Sequence, residues 1–391
     1  MPDVAVVGGG IIGAACAHEL TRAGASVTLI ERDELAAGAS GRNQGWFVLP
    51  EDPVLVPMAR ATLPEYLDVA TSATLPVWID REPVGHVLVA LEPEDVERAH
   101  PALSSAAAQG VPIRPLDARD LHEAEPAISP HAVAGWLLDQ GHRLDPAALT
   151  VALALAAKGA GADVRHHLRA RALIEEAGAV RGVVTDDGPI AADTVVVATG
   201  PWSTALLDPI GIRLPVSGAR GWIVRTSAAS EPLRHLIEHA GWRDAPERLA
   251  AVSRPSAARV ATDGVPRAEV GAILHLHPDG TILVGSSRQA WITPEPEDPS
   301  VPRRQLAAAI ALVPSLAETQ VLSTWWGLRP MTPDERPIVG IVRDGLVVAT
   351  GHGSEGVILG AGTAKLVTSI VLGGPPPFDA GPFDPFRFDQ P

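Results

Sequence analysis

Residues 4–7, Val-Ala-Val-Val, form an unbroken apolar run, the pattern of a parallel strand buried on both faces. Residues 27–30 and 194–199 repeat it, and residues 338–341 and 346–350 predict two more strands late in the chain. Alternating apolar positions predict a second set of strands. Residues 76–80 and 85–91 are short examples, and 179–185 with 190–193 flank Asp186-Asp187-Gly188 as in a hairpin. Residues 213–226, 270–277, 281–286 and 319–326 read as strands of a different sheet, with Pro278-Asp279-Gly280 as a turn. Helical periodicity covers 11–23, 54–73, 93–109, 115–125, 146–158 and 300–313, and a last helix runs to residue 372. Asp145 suits the cap, and Pro146 the first turn, of the fifth of these. Residues 228–268 carry no readable period, and no segment repeats another.

Three of the buried strands run directly into glycine. After the first, Gly8, Gly10 and Gly13 spell G-x-G-x-x-G, and Ile11 and Ile12 open the following helix. The first glycine permits a tight turn, the second lets backbone approach a pyrophosphate, and the third lets helix pack on strand. The helix turns its N–H groups and positive dipole end toward the phosphates. Glu31 closes the second strand, where a carboxylate accepts hydrogen bonds from a ribose. Strand, glycine turn, helix, strand and acid in that order predict a dinucleotide site. Thr199-Gly200-Pro-Trp202 and Gly351-His352-Gly353-Ser354-Glu355-Gly356-Val357 follow the other two strands, the returns that one cofactor needs. The loop 38–46 holds Ser40, Gln44, Gly45, Trp46 and the only asparagine, Asn43. Its glycines allow it to fold against the bound molecule.

Composition narrows the class. A formal charge of −15 excludes an ordinary nucleic-acid binder, which carries a basic face. The lone Cys16, on the packed side of the first helix, excludes a disulfide framework and a cysteine zinc site. The chain enters a strand at once, so no signal peptide is expected, and no apolar run approaches the roughly 20 residues of a membrane span. The expected compartment is the cytoplasm. His235-Leu-Ile-Glu238-His239 spells a zinc-peptidase pattern, but Pro232 and Gly241 bracket it and no distal ligand follows, so no metal is expected. The pairs His166-His167 and His275/His277 are expected to be solvated. Four of the five phenylalanines lie among prolines in the tail from Gly373, which should be pinned to the protein's own surface.

The first fingerprint occurs with Ser40-Gly-Arg42-Asn43-Gln-Gly45, Asp145-Pro146, Ala198-Thr199-Gly200-Pro-Trp202-Ser203, Gly327-Leu-Arg329-Pro-Met331-Thr-Pro-Asp334 and Gly351-His352-Gly353. In that order they resemble the FAD-dependent amine and amino-acid oxidoreductases that include glycine oxidase, sarcosine oxidase and D-amino-acid dehydrogenase. The resemblance implies an α/β chain, α+β overall, in which a Rossmann-like FAD-binding domain carries an inserted mixed-sheet substrate domain. The expected division is 1–75, 140–212 and 327–391 for the first and 76–139 and 213–326 for the second.

By the same resemblance, residues 8–13 hold the pyrophosphate, Glu31 the ribose and Arg32 the neighbourhood of the adenine, which Ala170 touches through its backbone. Ser40 and residues 44–46 lie along the pyrophosphate and flavin, and residues 352–357 line the isoalloxazine. Arg329 matches the arginine that binds the substrate carboxylate, with His352 and Ser354 beside the substrate. Ser354 stands where glycine oxidase has a second arginine. Met331 and Arg42 occupy the attachment positions of covalent relatives, so the FAD should be non-covalent. The two lysines, Lys158 and Lys365, lie in predicted helices, so an oxygen-activating lysine is not expected. The implied reaction is oxidation of the carbon–nitrogen bond of a small amino acid or amine. The α-hydrogen passes as hydride to the flavin, the imine then hydrolyses, and O2 or another acceptor takes the electrons. Oligomeric state is not legible.

Overall fold

A computed structural model describes residues 3–242, 268–290 and 298–388. The first strand, Asp3–Val7, is the centre of a six-stranded sheet. Parallel partners flank it: Ser26–Ile30 and then Asp163–Arg165 on one side, Thr194–Val197 and then Leu346–Thr350 on the other. Ile338–Arg343 closes that edge antiparallel. The alternation of side chains explains the unbroken apolar run. Val4 and Val6 point into a core shared with the helices Ile11–Arg22, Val56–Ser72, Pro146–Gly159 and Gly356–Leu372. Ala5 and Val7 point into a second core beneath a three-stranded antiparallel sheet. That small sheet adds Ala170–Glu176, a strand the periodicity does not announce, to the expected hairpin of Ala179–Thr185 and Gly188–Ala191.

The second large sheet has eight strands in the order Val321–Met331, Ser217–Thr226, Ile282–Ala290, Glu269–Leu276, Leu236–His239, His86–Ala90, Ala134–Leu138, Ile113–Leu116. Its pairings are antiparallel except between Leu236–His239 and His86–Ala90. Helix Val301–Leu312 buries Ala309 and Leu312 against one face, on Val224, Val284 and Leu274. The opposite face is left to line a cavity. The mixed sheets match the expected α/β, α+β class. Residues 76–80 form no strand and contribute a single bridge, Ile79 to Leu144. Val321–Met331 is longer than expected, so Arg329 sits within a strand.

The described tail is pinned by three of its four phenylalanines, Phe386 being exposed. Phe383 is buried, Phe378 meets it edge-on at 6.4 Å, and Phe388 packs on the second core. Of the unreadable stretch, 243–267 lie outside the described residues. Among the described residues no helix is long and apolar enough to cross a membrane.

Candidate active site

The three strand ends at the centre of the six-stranded sheet meet in one turn. Gly8 N–H donates to the Ile30 carbonyl and Ala198 N–H to the Val7 carbonyl, both at 2.8 Å. Gly8 has φ of +114°, and a Cβ there would lie 2.5 Å from the Ala198 carbonyl oxygen, so only glycine fits. Gly13 lies beneath this turn, where any Cβ would overlap the Gly8 carbonyl. The Ser40 hydroxyl accepts from Ile11 N–H at 2.8 Å, occupying one of the unsatisfied donors of the helix. Asn43 folds the loop back on itself. Its amide donates to the carbonyls of Ala39 and Ser40 at 3.1 and 2.8 Å and accepts from Gly45 N–H at 2.9 Å. Glu31 accepts from Gly9 N–H at 2.6 Å and from Asp33 N–H at 2.8 Å, which holds its carboxylate at the turn.

A cavity of about 390 Å3 opens over this turn. From the first glycine segment it is lined by Gly8, Gly10, Ile11 and Ile12, and from the second strand by Glu31 and Arg32. Ala170 and the segment Thr199, Gly200 and Trp202 close its sides, and the Arg32 guanidinium stacks 4.2 Å over the Trp202 ring. Ser40, Asn43, Arg329, His352, Gly353, Ser354, Gly356 and Val357 complete the wall. Three of the proposed cofactor residues stand behind it instead. Gly13 is under the turn, Gly45 is pressed on Leu144 and Pro146, and Gly351 abuts Thr332. Gln44, Trp46 and Glu355 line a second cavity of about 560 Å3, which shares Ala39, Asn43, Arg329, Ser354 and Val357 with the first.

The open face of the eight-stranded sheet forms the wall of this second cavity. Alternation brings Gly221 and Ile223, Ile273, Ser286 and Arg288, and Gly327 and Arg329 to the same side. Among the described residues that line both cavities, Arg329 carries the positive charge. Its Nη1 donates to the Ser287 carbonyl at 3.0 Å. Arg288 is a site residue that sequence reasoning missed. It is buried, pairs with Glu335 at 2.7 Å and donates to Ser354 Oγ at 3.4 Å. The available signal was a lone arginine in a run of small and apolar residues. His352 is buried, and desolvation lowers its pKa to about 3, so the ring is neutral. Its Nε2 lies 3.0 Å from Thr363 Oγ1 in the last helix.

Residues 3–370 match the family model described as FAD dependent oxidoreductase. The chain belongs to the FAD-dependent oxidoreductase family. It is 27% identical to the glycine oxidase of Pseudomonas putida, over 98% of each chain. It is likewise 27% identical to the D-amino acid dehydrogenase of Rhizobium johnstonii, over 96% of this chain and 97% of that one. The solved structure of glycine oxidase from Geobacillus kaustophilus superposes with a TM-score of 0.82 at 24% identity, over 99% of this chain and 98% of that one.

For an FAD-dependent oxidoreductase the residues present fit the cofactor. Two helix N-termini, at Ile11 and Gly356, border the first cavity, and neither helix has an acidic residue in its first turn. An anionic diphosphate therefore meets the favourable partial charge of the helix ends, while the Glu31 carboxylate of the lining is held by Gly9 and Asp33 N–H groups.

The histidines of this oxidoreductase need one correction. His275, expected to be solvated, is fully buried: it lies on the same side of Glu269–Leu276 as Ile273, where Trp46 covers it. Trp46 Nε1 donates to its Nδ1 at 2.6 Å, and burial lowers its pKa to about 3. His277, one residue past that strand, keeps partial exposure and pairs with Asp279 at 2.8 Å. His235, Glu238 and His239 go to three separate partners, Glu125, His86 and Asp95, at 2.9, 3.0 and 2.8 Å. Among the described residues, metal-ligand spacing occurs only in exposed Glu34, His166 and His167.

Proposed function

We propose that this FAD-dependent oxidoreductase oxidises the carbon–nitrogen bond of a small amino acid or amine, with O2 as acceptor and hydrogen peroxide as product. One observation carries the reading. The Arg329 guanidinium stands where the two cavities join, so an anion bound to it lies between the cofactor cavity and the second wall. A guanidinium there suits a carboxylate, which it holds through two parallel hydrogen bonds. FAD, when bound, supplies the two-electron oxidising capacity. This chain's own residues bind and orient. Residues 8–13, at the helix N-terminus, would hold the diphosphate, and Glu31 the ribose. Met331 and Arg42 offer no attachment chemistry, so the FAD is held non-covalently. His352, neutral and turned to Thr363, serves as wall rather than as a proton carrier.

We assign FAD binding to 1–75, 140–212 and 327–391, and substrate binding to 76–139 and 213–326. In support, the strands of the six-stranded sheet come from the first three segments, while Val321–Met331 crosses the last boundary. The relatives named as glycine oxidase and D-amino acid dehydrogenase agree with an amino-acid substrate.

The test is anaerobic mixing of the purified yellow protein with a panel of amino acids and amines. Bleaching of the flavin by a carboxylate-bearing amine is expected, followed on aeration by oxygen uptake and peroxide release. A flavin that no panel member bleaches would overturn the reading. Bleaching without oxygen uptake would assign the electrons to a quinone or a protein acceptor.

A further inference from the structure

Arg329 and Ser287 lie on strands that do not touch. Ser217–Thr226 runs between Val321–Met331 and Ile282–Ala290, so the 3.0 Å bond from Arg329 to the Ser287 carbonyl crosses a whole strand. The side chain passes over Gly221. A Cβ built on Gly221 would lie 2.6 Å from Arg329 Cζ and 2.8 Å from Nη2, and nearer still to Nη1. All three nearest atoms belong to that one guanidinium. Gly221 pairs regularly with Gly327, lies within the stretch Arg220 to Val224 where the register with Ile282–Ala290 shifts, and has no positive φ, so its backbone would accept any residue. Conformation therefore does not explain a glycine here, whereas space does. A glycine within a strand weakens it and marks the close approach of another group.

We propose that Gly221 is the positioning residue for Arg329. Its missing side chain is the channel that delivers the guanidinium to the junction of the two cavities. This inference rests on the carboxylate role of Arg329 proposed above. The three atoms nearest a methyl group at 221 are the far end of a flexible side chain. The fold is therefore spared and the pose of Arg329 is lost. A displacement of about 1 Å at a positioning group costs on the order of 100-fold in rate.

The experiment uses four FAD-loaded proteins: wild type, Gly221→Ala, Arg329→Ala and the double variant. Benzoate, a carboxylate without an oxidisable amine, is titrated against the flavin absorbance. Steady-state KM and kcat are measured with the amino acid that bleaches the flavin fastest. Gly221→Ala should weaken benzoate and raise KM roughly 10- to 100-fold, with FAD content and Tm near wild type. Adding Gly221→Ala to Arg329→Ala should change little more, because the atoms it obstructs are gone. Wild-type benzoate affinity in Gly221→Ala would overturn the inference. So would a full, additive loss in the double variant. If Gly221→Ala does not fold, recovery of Tm in the double variant supports the same obstruction, and failure of both overturns it. Unchanged benzoate binding and turnover in Arg329→Ala would instead remove the carboxylate role itself, and this inference with it.

Discussion

The two cavities meet at Arg329 yet are built on opposite principles. The first is a backbone site. Its turn of Gly8, Gly10 and Gly13, its helix N-termini and its strand-end hydrogen bonds use main-chain groups, and side chains such as Ser40, Asn43 and Glu31 serve to hold that main chain in place. The second is a side-chain site. Its sheet wall consists of every other residue from strands far apart in sequence, and the two arginines of that wall, Arg329 and Arg288, are positioned by neighbours on other segments, among acidic residues such as Glu238, Glu335 and Glu355. A backbone site tolerates most substitutions except those that add volume. A side-chain site fails when a single functional group is trimmed.

That contrast can be broken most directly at Gly10. A Cβ on Gly10 would lie 3.0 Å from Ser40 Oγ, in the space assigned above to the diphosphate. Gly10→Val should abolish FAD retention, measured as flavin released by acid per mole of purified protein. Retained FAD would show that volume at the turn is not what the first cavity excludes. The next effect belongs to the second cavity. Arg329→Ala should keep normal FAD content while costing roughly 2–5 kcal/mol of stabilisation of an amino-acid substrate, read from kcat/KM. An amine lacking a carboxylate should be affected far less. Loss of FAD in this variant would erase the division between the two sites.

The smallest effect sharpens the comparison rather than breaking it, because both walls bury a neutral histidine. His352 stands at the first and His275 behind Trp46 of the second, each with pKa lowered from 6.5 to about 3 by desolvation. The unfolded chain takes up a proton near pH 6.5 that the folded chain refuses until about pH 3. Each histidine's contribution is therefore complete above pH 6.5 and is lost as pH falls through that window. The slope is up to about 1.4 kcal/mol per pH unit for each group. Urea unfolding of wild type and His275→Gln between those limits should show the shallower pH dependence in the variant. Equal slopes would mean that His275 is protonated in the folded protein.

Much of the first cavity is legible in the sequence, because each determinant is local. An apolar run, a glycine spacing and a terminal acid lie within one strand–helix–strand unit, and short-range sterics dictate what that unit does. Ser40 and Asn43 were also visible, as small polar residues in a glycine loop. Ala170–Glu176 was missed as a strand because its alternation, Ala-Arg-Ala-Leu-Ile-Glu-Glu, is faint and the pairing with Ala179–Thr185 stabilises it. His275 was read as solvated because the sequence does not say that Trp46, 229 residues away, covers that side of the strand.

The amino-acid sequence by itself determined the family, the FAD fingerprint and most of the regular elements, since period and turn chemistry act over a few residues. Tertiary structure alone decided that Gln44 and Trp46 face the second cavity, that Arg288 reaches Ser354, and that Arg329 crosses an intervening strand above Gly221. Those contacts depend on strand order and register between segments far apart in sequence, 42 residues for Arg329 and Ser287 and 66 for Arg288 and Ser354. Strand order follows from how whole sheets bury their faces, which no local pattern encodes.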